Sequence, residues 1–375
     1  MSTIMNLCSL LIGVLYSAQT LLGIELVNTM PVSRFNQAVE IPLEKLQHLK
    51  ESTTFVIKDI AGNELPYQWV YQGNKKPQHL LLIADFTPKE IKKIYFSKLT
   101  PGPIPSRVSA QQIPERYDDF AWENDKVAFR VYGKALEKKP DENGYGMDVW
   151  AKRTSALVVA RWYKNADYHT DHGEGLDFFK VGHSLGAGDS LPVINDSLTY
   201  LGNYTQYRVL DKGPLRTSFQ LFYPPKKINN QSMGLVKTVS LDAGSQLNKV
   251  QLEYLLDKSV KLPVFVGLVH WNGKGTKTIT DHYVSYWPEA DKKNGSIGTA
   301  VLFESSSNNF IDRFQHLGNQ VQAENKHKIT YFAGAAWDKA QEIQSAEDWN
   351  SYLKSYGQSL QNPIIINIIS LNQKR

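Results

Sequence analysis

The sequence predicts an all-β protein in which a small β-sandwich domain precedes a large domain of packed antiparallel sheets with few helices. Many short stretches are apolar or alternate between apolar and polar residues, and Gly, Pro and Asn punctuate them at regular intervals. Only one stretch has the apolar spacing of a helix. The length of 375 residues suffices for about two domains, and 42% hydrophobic residues is ordinary for a globular chain.

Residues 4–18 form the only long apolar stretch, which is too short to span a bilayer comfortably. Its length fits the core of a secretory signal, although no Lys or Arg precedes it. We predict a signal peptide over residues 1–23 and a periplasmic or secreted protein. The single cysteine, Cys8, would leave with that segment, and the mature chain would then carry no thiol. A buried first strand or a misassigned start codon is the alternative.

Residues 24–100 are predicted to form the small β-sandwich domain. Within it, residues 55–71 indicate two strands joined by a Gly-Asn turn, and residues 79–86 form a short apolar run of strand length. A Pro- and Gly-rich stretch follows, and proline cannot donate to a sheet ladder. We therefore predict a linker over residues 101–116 and a larger domain over residues 117–375.

The larger domain continues with stretches of strand character and closes with one helix. The helix is predicted from Ser345, a suitable N-cap, through an apolar face that contains Trp349 and Leu353. An apolar strand is expected to follow it at residues 364–369. The other predicted strands lie at residues 127–133, 215–223, 236–245, 264–271, 300–303 and 329–337.

The densest polar cluster occupies residues 165–189 and contains three of the nine histidines among acidic residues and glycines. A core strand could not satisfy so many polar groups, so we interpret this segment as a long functional loop. Residues 182–186 match the G-x-S-x-G pattern of serine hydrolases, but the following glycines and Pro192 would break the helix that the motif requires. A metal held by His169 and His172 is a further alternative.

Two later segments add cationic and aromatic groups. Arg208 and Arg216 flank a Gly-Pro turn, and an arginine fork can pair both oxygens of a carboxylate or sulfate. The alternative is that each arginine pairs with a neighbouring acid such as Asp211. His270 and Trp271 end an apolar strand, which indicates a sugar-stacking wall beside an acid–base group; a histidine that merely caps the strand is the common alternative.

Several of these segments together resemble a known family. They are residues 168–188, residues 117–124, residues 208–216 and the closing pair Trp349 and Tyr352. The chain resembles a bacterial family of unknown-function proteins from gene clusters for the breakdown of acidic plant and algal polysaccharides. That family belongs to the galactose-mutarotase-like superfamily, whose fold is a large β-supersandwich. It is similar to the uronate-directed oligosaccharide dehydratase of ulvan breakdown.

The resemblance implies an oligosaccharide dehydratase that removes water from a non-reducing-end glucuronic or iduronic acid and leaves a 4,5-unsaturated uronate. Such a reaction needs a base, an acid and a cation beside the sugar carboxylate. We predict His169 and Tyr168 as the acid–base pair, with His270 as the competitor. The predicted substrate-binding residues are Arg208, Arg216, Lys180, Trp271, Glu174, His282 and Lys152.

Three other functions stay open at this stage: a polysaccharide lyase, a glycoside hydrolase that uses carboxylates such as Glu174 and Asp177, and a non-catalytic carbohydrate-binding protein. The expected partner is an acidic oligosaccharide. Nucleic acid is not expected, because a net charge of +5 is mild and no Lys/Arg run exceeds two residues. We expect no cofactor, with a divalent metal as the open alternative, and no membrane insertion of the mature chain.

Overall fold

The computed structural model describes residues 20–47, 49, 54–165, 167–256, 261–271, 273–340 and 342–369. These residues form two compact units, one within 1–106 and 362–375 and the other within 107–361. The all-β prediction is confirmed, because strands dominate both units and all sheet pairings are antiparallel among the described residues.

The described strands are numbered in chain order. They are β1 (Thr20–Val27), β2 (Arg34–Pro42), β3 (Val56–Asp59), β4 (Glu64–Leu65), β5 (Tyr67–Val70), β6 (His79–Phe86), β7 (Ile91–Ser97), β8 (Val108–Ile113), β9 (Asp119–Asn124), β10 (Ala128–Val131), β11 (Asp148–Lys152), β12 (Gly175–Leu176), β13 (Asp189–Ile194), β14 (Ser197–Leu198), β15 (Gln206–Lys212), β16 (Arg216–Ile228), β17 (Gln231–Asp242), β18 (Leu247–Leu256), β19 (Leu262–Val269), β20 (Gly275–Ile279), β21 (Tyr283–Pro288), β22 (Ile297–Leu302), β23 (Phe310–Arg313), β24 (His316–Ala323), β25 (Lys328–Trp337) and β26 (Ile365–Ile369).

The described helical segments are few and mostly short. They are the α-helices α1 (Val159–Trp162) and α2 (Ala346–Gln361) and the 3₁₀ helices Leu43–Leu46, Pro114–Arg116, Lys134–Lys138 and Asp338–Ala340. None of the helices in the described part of the chain is long and apolar enough to cross a membrane.

The smaller unit is a β-sandwich of two sheets around one apolar core. One sheet has the order β26-β1-β7-β3-β4 and the other β2-β6-β5. Side chains that alternate along β1 and β6, among them Leu22, Ile24, Leu80 and Leu82, form the core between the sheets. Inward and outward positions therefore follow the period of two that the sequence displays.

Two boundaries of the smaller unit differ from the prediction. β26, which we predicted in the larger domain, pairs antiparallel with β1, with Gly23 opposite Ile369. An exposed edge of β1 is thereby covered. Residues 20–23, which we assigned to the signal peptide, begin β1, while residues 1–19 of that predicted peptide, including Cys8, lie outside the described residues.

The larger unit packs three sheets around a shared core. Their orders are β12-β11-β10-β9-β8, β14-β13-β19-β24-β23 and β15-β16-β17-β18-β25-β22-β21-β20. β8 lies inside the segment that we predicted as a linker. It belongs to the first sheet because Val108 to Ile113 pair with β9 along their whole length.

Helix α2 forms where the sequence predicts it. The Asp348 backbone amide donates to Ser345 Oγ at 3.1 Å, which caps the first turn. Trp349 and Leu353 are fully buried against Leu302 and Phe332 of the eight-stranded sheet. The predicted apolar face of the helix is thus the face that packs.

Candidate functional site

Strands β9, β10 and β11 divide their side chains between two faces of the five-stranded sheet. Successive residues of a strand point to opposite faces. One set is apolar and packs into the main core; examples are Phe120, Phe129 and Val149. The other set carries the small or aromatic residues Ala121, Ala128 and Trp150 and five charged residues. The charged residues are Asp119, Glu123, Arg130, Asp148 and Lys152, all buried.

Residues 153–165 and 167–174, here named the covering segment, lie over this charged face. Val158, Val159 and Trp162 of the segment pack with Trp150 in a small apolar cluster. The Tyr168 ring stacks on Trp150 with a centroid distance of 5.0 Å. The covering segment therefore excludes water from a face that would otherwise be polar, and each buried charge needs a partner.

At one end of this face, Arg130 is surrounded by three carboxylates. Its Nε donates to Asp148 Oδ2 at 2.9 Å, and its Nη2 lies 3.2 Å from Asp177 Oδ2. Its Nη1 lies 3.6 Å from Asp119 Oδ2. We name these four residues the Arg130 cluster. One cation faces three acids here, so the cluster would carry two excess negative charges if every carboxyl were ionised.

Burial raises the pKa of all three acids. Burial raises the pKa of Asp119 to about 6, against the opposing effect of Arg130. Burial also raises the pKa of Asp148, and burial together with the neighbouring Asp148 carboxylate raises that of Asp177 well above its ordinary value. The buried setting therefore favours the protonated form of each of these carboxyls more than water does.

Tyr168 and His169 lie at the surface edge of the Arg130 cluster. The Asp177 backbone amide donates to the Tyr168 carbonyl at 2.9 Å, which ties the two segments together. His169 Nδ1 lies 2.9 Å from the Asp177 carbonyl oxygen and 3.7 Å from its carboxylate. A carbonyl only accepts, so Nδ1 carries a proton and Nε2 of the neutral ring is the free basic atom. The side chain is 62% exposed.

Arg116 completes this edge. Its Nε lies 3.4 Å from the Tyr168 hydroxyl, and its Nη1 lies 3.4 Å from the exposed Glu142. Our sequence analysis missed Arg116, because the residue falls in the stretch that we predicted as a linker. The motif at residues 117–124 could have indicated this residue. It contains β9, and Arg116 lies just before that strand. We name Tyr168, His169 and Arg116 the surface trio.

Lys152 lies at the opposite end of the covered face and does not face solvent. Its Nζ donates to Glu123 Oε2 at 2.7 Å and to the Asn124 carbonyl at 2.6 Å. Its side chain has no exposed area. Burial lowers the pKa of Lys152 in spite of the Glu123 charge. The position therefore corresponds to a buried structural ion pair and not to the solvent-facing substrate contact that we predicted.

Three other predicted binding residues have protein partners. Arg216 donates two hydrogen bonds to Asp242, at 2.5 and 2.8 Å. It therefore pairs with an acid of the protein, as our alternative interpretation expected, but the acid is Asp242 and not Asp211. Glu174 forms a surface ion pair with Arg161. His282 lies in the turn between β20 and β21, with Nδ1 3.4 Å from the Phe303 carbonyl.

The structure brings three further predicted residues together elsewhere. His270 Nε2 lies 2.8 Å from Asp312 Oδ1, and Lys277 Nζ lies 2.9 Å from the other oxygen of that carboxylate. Trp271 donates its indole N–H to the Lys180 carbonyl at 3.0 Å. Trp271 is 48% exposed and has φ of 50°, an uncommon backbone conformation for a bulky residue. An exposed, fixed aromatic ring of this kind suits sugar stacking.

Arg208 is remote from this second group. It lies on β15, one edge of the eight-stranded sheet, whereas Lys277 lies on β20 at the other edge. Six strands separate the two edges, which corresponds to about 34 Å along the sheet at 4.8 Å per step. Arg208 and His270, both of which we predicted for the substrate site, therefore do not share one site, because Lys277 meets the Asp312 carboxylate beside His270.

The structure also bears on two alternatives from the sequence analysis, the serine-hydrolase motif and the metal site. Ser184 is buried, donates to the Val181 carbonyl and accepts from the Gly186 amide, which is a local turn and not an exposed nucleophile. Among the described residues, no group of three or more His, Cys, Asp or Glu side chains is arranged to hold a metal ion. In the Arg130 cluster, the guanidinium occupies the place between the carboxylates.

The chain belongs to the protein family described as Domain of unknown function (DUF4861), which matches residues 26–366. The family assignment made from the sequence is thus confirmed as membership of a family of unknown function. A curated relative, "Uncharacterized protein P7" from Formosa agariphila, is 29% identical over 366 residues and covers 91% of this chain and 92% of its own length.

Two solved structures from Enterococcus faecalis resemble the fold. A protein in glycosyl hydrolase family 38 gives a TM-score of 0.50 at 11% identity over 95% of this chain and 48% of its own. An α-mannosidase from strain V583 gives 0.49 at 9% identity over 95% and 46%. The chain spans about half the length of these structures. At such identities the first likeness shows the β-rich fold alone.

Proposed function

We propose that this protein is a carbohydrate-active enzyme that removes water from the terminal uronic acid of an acidic oligosaccharide by β-elimination. The observation that carries the proposal is the surface trio: an imidazole, a phenol and a guanidinium lie together at the edge of a buried acidic cluster. The resemblance to a uronate-directed dehydratase and the fold shared with a family 38 glycosyl hydrolase support it.

The chemistry assigns one task to each member of the trio. Arg116 pairs with the sugar carboxylate, so that negative charge can develop there in the transition state. His169 Nε2 takes the C5 proton, and the electrons of that C–H bond form the C4–C5 double bond while the C4–O bond breaks. Tyr168 donates its phenolic proton to the departing hydroxyl, which leaves as water. Proton return from His169 to Tyr168 through solvent restores both groups.

The Arg130 cluster supports this assignment by holding His169 in place. The Asp177 carbonyl fixes the Nδ1 proton of His169, and Asp177 is itself held by Arg130. A base whose tautomer is fixed presents its lone pair in one direction and loses less freedom on binding substrate. We include ulvan-type oligosaccharides as substrates and a periplasmic or secreted location in the proposal.

A polysaccharide lyase would use the same trio, because only the leaving group differs: a sugar in place of water. Product mass separates the two. Loss of one water without chain cleavage indicates a dehydratase, whereas two shorter products, one unsaturated, indicate a lyase. New reducing ends without ultraviolet absorbance would instead indicate hydrolysis, and an unchanged oligosaccharide would indicate binding only.

The decisive variant is His169→Ala, assayed on uronate-terminated oligosaccharides by the ultraviolet absorbance of the conjugated double bond. We expect the turnover to fall about 10²–10⁴-fold, the usual contribution of a positioned acid or base. The matched control is His172→Ala, a histidine of the same segment that is 69% exposed and pairs with Asp167. Near-full activity of a folded His169→Ala variant, or an equal loss in the control, would contradict the proposal.

A further inference from the structure

A cavity of about 200 Å³ lies at the Lys152 end of the covered face, away from the surface trio. Its wall includes the start of the covering segment, Arg153 to Ser155, and Gln246, which directly precedes β18. Lys152 follows Asp148 by four residues on β11, which places the cavity about 13 Å along the strand from the Arg130 cluster.

Gln246 is a fixed polar group in this wall. Its backbone amide donates a hydrogen bond to the Tyr352 hydroxyl at 2.9 Å. Its backbone carbonyl accepts one from the Ala335 amide. The residue is only 6% exposed, and its buried side-chain oxygen, Oε1, has no hydrogen bond among the described residues. A buried amide oxygen without a partner is unusual in a folded protein, and a hydroxyl group of a ligand in the adjoining cavity can donate the missing hydrogen bond.

Each charged residue of the wall is neutralised by an ion pair, and Lys152 pairs with Glu123 as described above. Lys126 pairs with Glu342, and Arg153 pairs with Asp171. Asp125 pairs with Arg107 at 2.6 Å. The ion pairs therefore leave no net charge in the wall for an anion. Hydroxyl groups, which both donate and accept, suit such a wall better than a phosphate or carboxylate does.

The size of the cavity limits its occupant to one ring. About 200 Å³ is below the range of roughly 300–1,000 Å³ typical of sites for drug-sized ligands. The Trp337 ring in the wall is buried and covered by Arg153 at 4.7 Å, so recognition here depends on polar groups more than on stacking. A single sugar ring has the required size and number of hydroxyls.

We propose that this cavity binds one neutral sugar residue through the Gln246 amide and the surrounding ion pairs. The inference deepens the proposed function, on which it rests: the surface trio would receive the uronic acid, and this cavity would select the neutral sugar of the same oligosaccharide. Specificity for sugar composition and the elimination chemistry are thereby assigned to opposite ends of one covered face.

The test uses the full chain and free monosaccharides: glucose, galactose, mannose, xylose and rhamnose, with glucuronic acid as the anionic comparison. Binding is measured by titration calorimetry and ligand-observed NMR. We expect at least one neutral sugar to bind more tightly than glucuronic acid. Gln246→Leu should weaken that binding at least 10-fold, whereas Gln251→Leu, a control on β18 outside the cavity wall, should leave it unchanged.

Ser155→Trp provides a second variant, which fills the cavity from an exposed position if Gln246→Leu does not fold. It should abolish neutral-sugar binding while the protein keeps its thermal unfolding transition. Absence of binding by every neutral sugar, or equal binding by wild type and a folded variant, would overturn the inference. His169→Ala should lose elimination and keep neutral-sugar binding, because His169 lies outside the cavity. The elimination assay therefore tests the surface trio and the binding assay tests the cavity, so each proposal can fail without the other.

Discussion

The two ends of the covered face have the same sheet beneath them and the same segment above them, yet their charges are balanced differently. At one end Lys152 meets a single carboxylate, Glu123, whose oxygens also accept from the Val158 and Val159 amides at 2.8 Å. At the other end Arg130 meets three carboxylates. Both ends are buried, so the difference lies in the number of acids for each cation.

The difference distinguishes a structural ion pair from a group that can change its protonation. The Glu123–Lys152 pair is satisfied by two backbone amides and a carbonyl, and it anchors helix α1 where the covering segment begins. The acids of the Arg130 cluster have raised pKa values, and the cluster borders the solvent-exposed His169. Titratable groups with raised pKa values beside an exposed base are typical of active sites.

The largest effect is expected when the central cation of each end is removed. Arg130→Met leaves three buried carboxylates without a cation, whereas Lys152→Met leaves one that still accepts two amides. Breaking a buried pair costs about 3–5 kcal/mol in the free energy of unfolding. We expect Arg130→Met to reach or exceed that range at neutral pH and Lys152→Met to cost less, as measured by urea unfolding. The reverse order would contradict the distinction.

The second effect is a pH dependence that arises from the acids of the Arg130 cluster. The pKa of Asp119 is about 6 in the folded protein and 3.8 for an ordinary aspartate, so the folded state holds the proton more tightly. The resulting stabilisation is complete below pH 4 and is lost as the pH rises through 6. It amounts to about 3 kcal/mol, at 1.36 kcal/mol for each pKa unit.

Asp119→Asn removes this titration. The free energy of unfolding of the variant, relative to wild type, should therefore rise by about 2.4 kcal/mol between pH 4 and pH 7, most of the total. Urea unfolding at both pH values measures the change. The same substitution at the exposed Asp281 is the control, and a comparable rise there would show that Asp119 is not the source.

The smallest effects separate catalysis from stability. The Tyr168 hydroxyl has only a 3.4 Å contact with Arg116, so Tyr168→Phe should change the free energy of unfolding by less than about 0.5 kcal/mol while elimination slows. Glu123→Gln should do the opposite: it loses acceptor capacity for two amides and Lys152, at about 1–3 kcal/mol, and the folded fraction keeps its turnover. Calorimetric melting and the absorbance assay are needed for both variants.

The strands and helix α2 were predictable because their signals are local. Ser345, Trp349 and Leu353 specify a capped helix with one apolar face, and the structure has that helix. β26 illustrates the limit of such signals. Its apolar residues predict a strand, but its partner β1 lies more than 300 residues away in the sequence, and nothing near β26 indicates it.

The candidate site was predictable only in part, for the same reason. Tyr168 and His169 were found through their polar surroundings, and they do lie together. Arg130 was visible as one charge on an alternating strand, but its environment is built from Asp119, Asp148 and Asp177 on separate segments. A buried charge on a strand becomes informative only when its distant partners are known.

The pairing of β26 with β1 has a consequence for synthesis of the chain. The first and last described strands belong to one sheet, and the residues of the larger unit are inserted between them. During translation the smaller unit cannot complete that sheet until its final strand has left the ribosome, whereas all strands of the larger unit emerge earlier. A nascent chain stalled just before Ile365 should therefore contain a protease-resistant larger unit and an open sheet edge on β1.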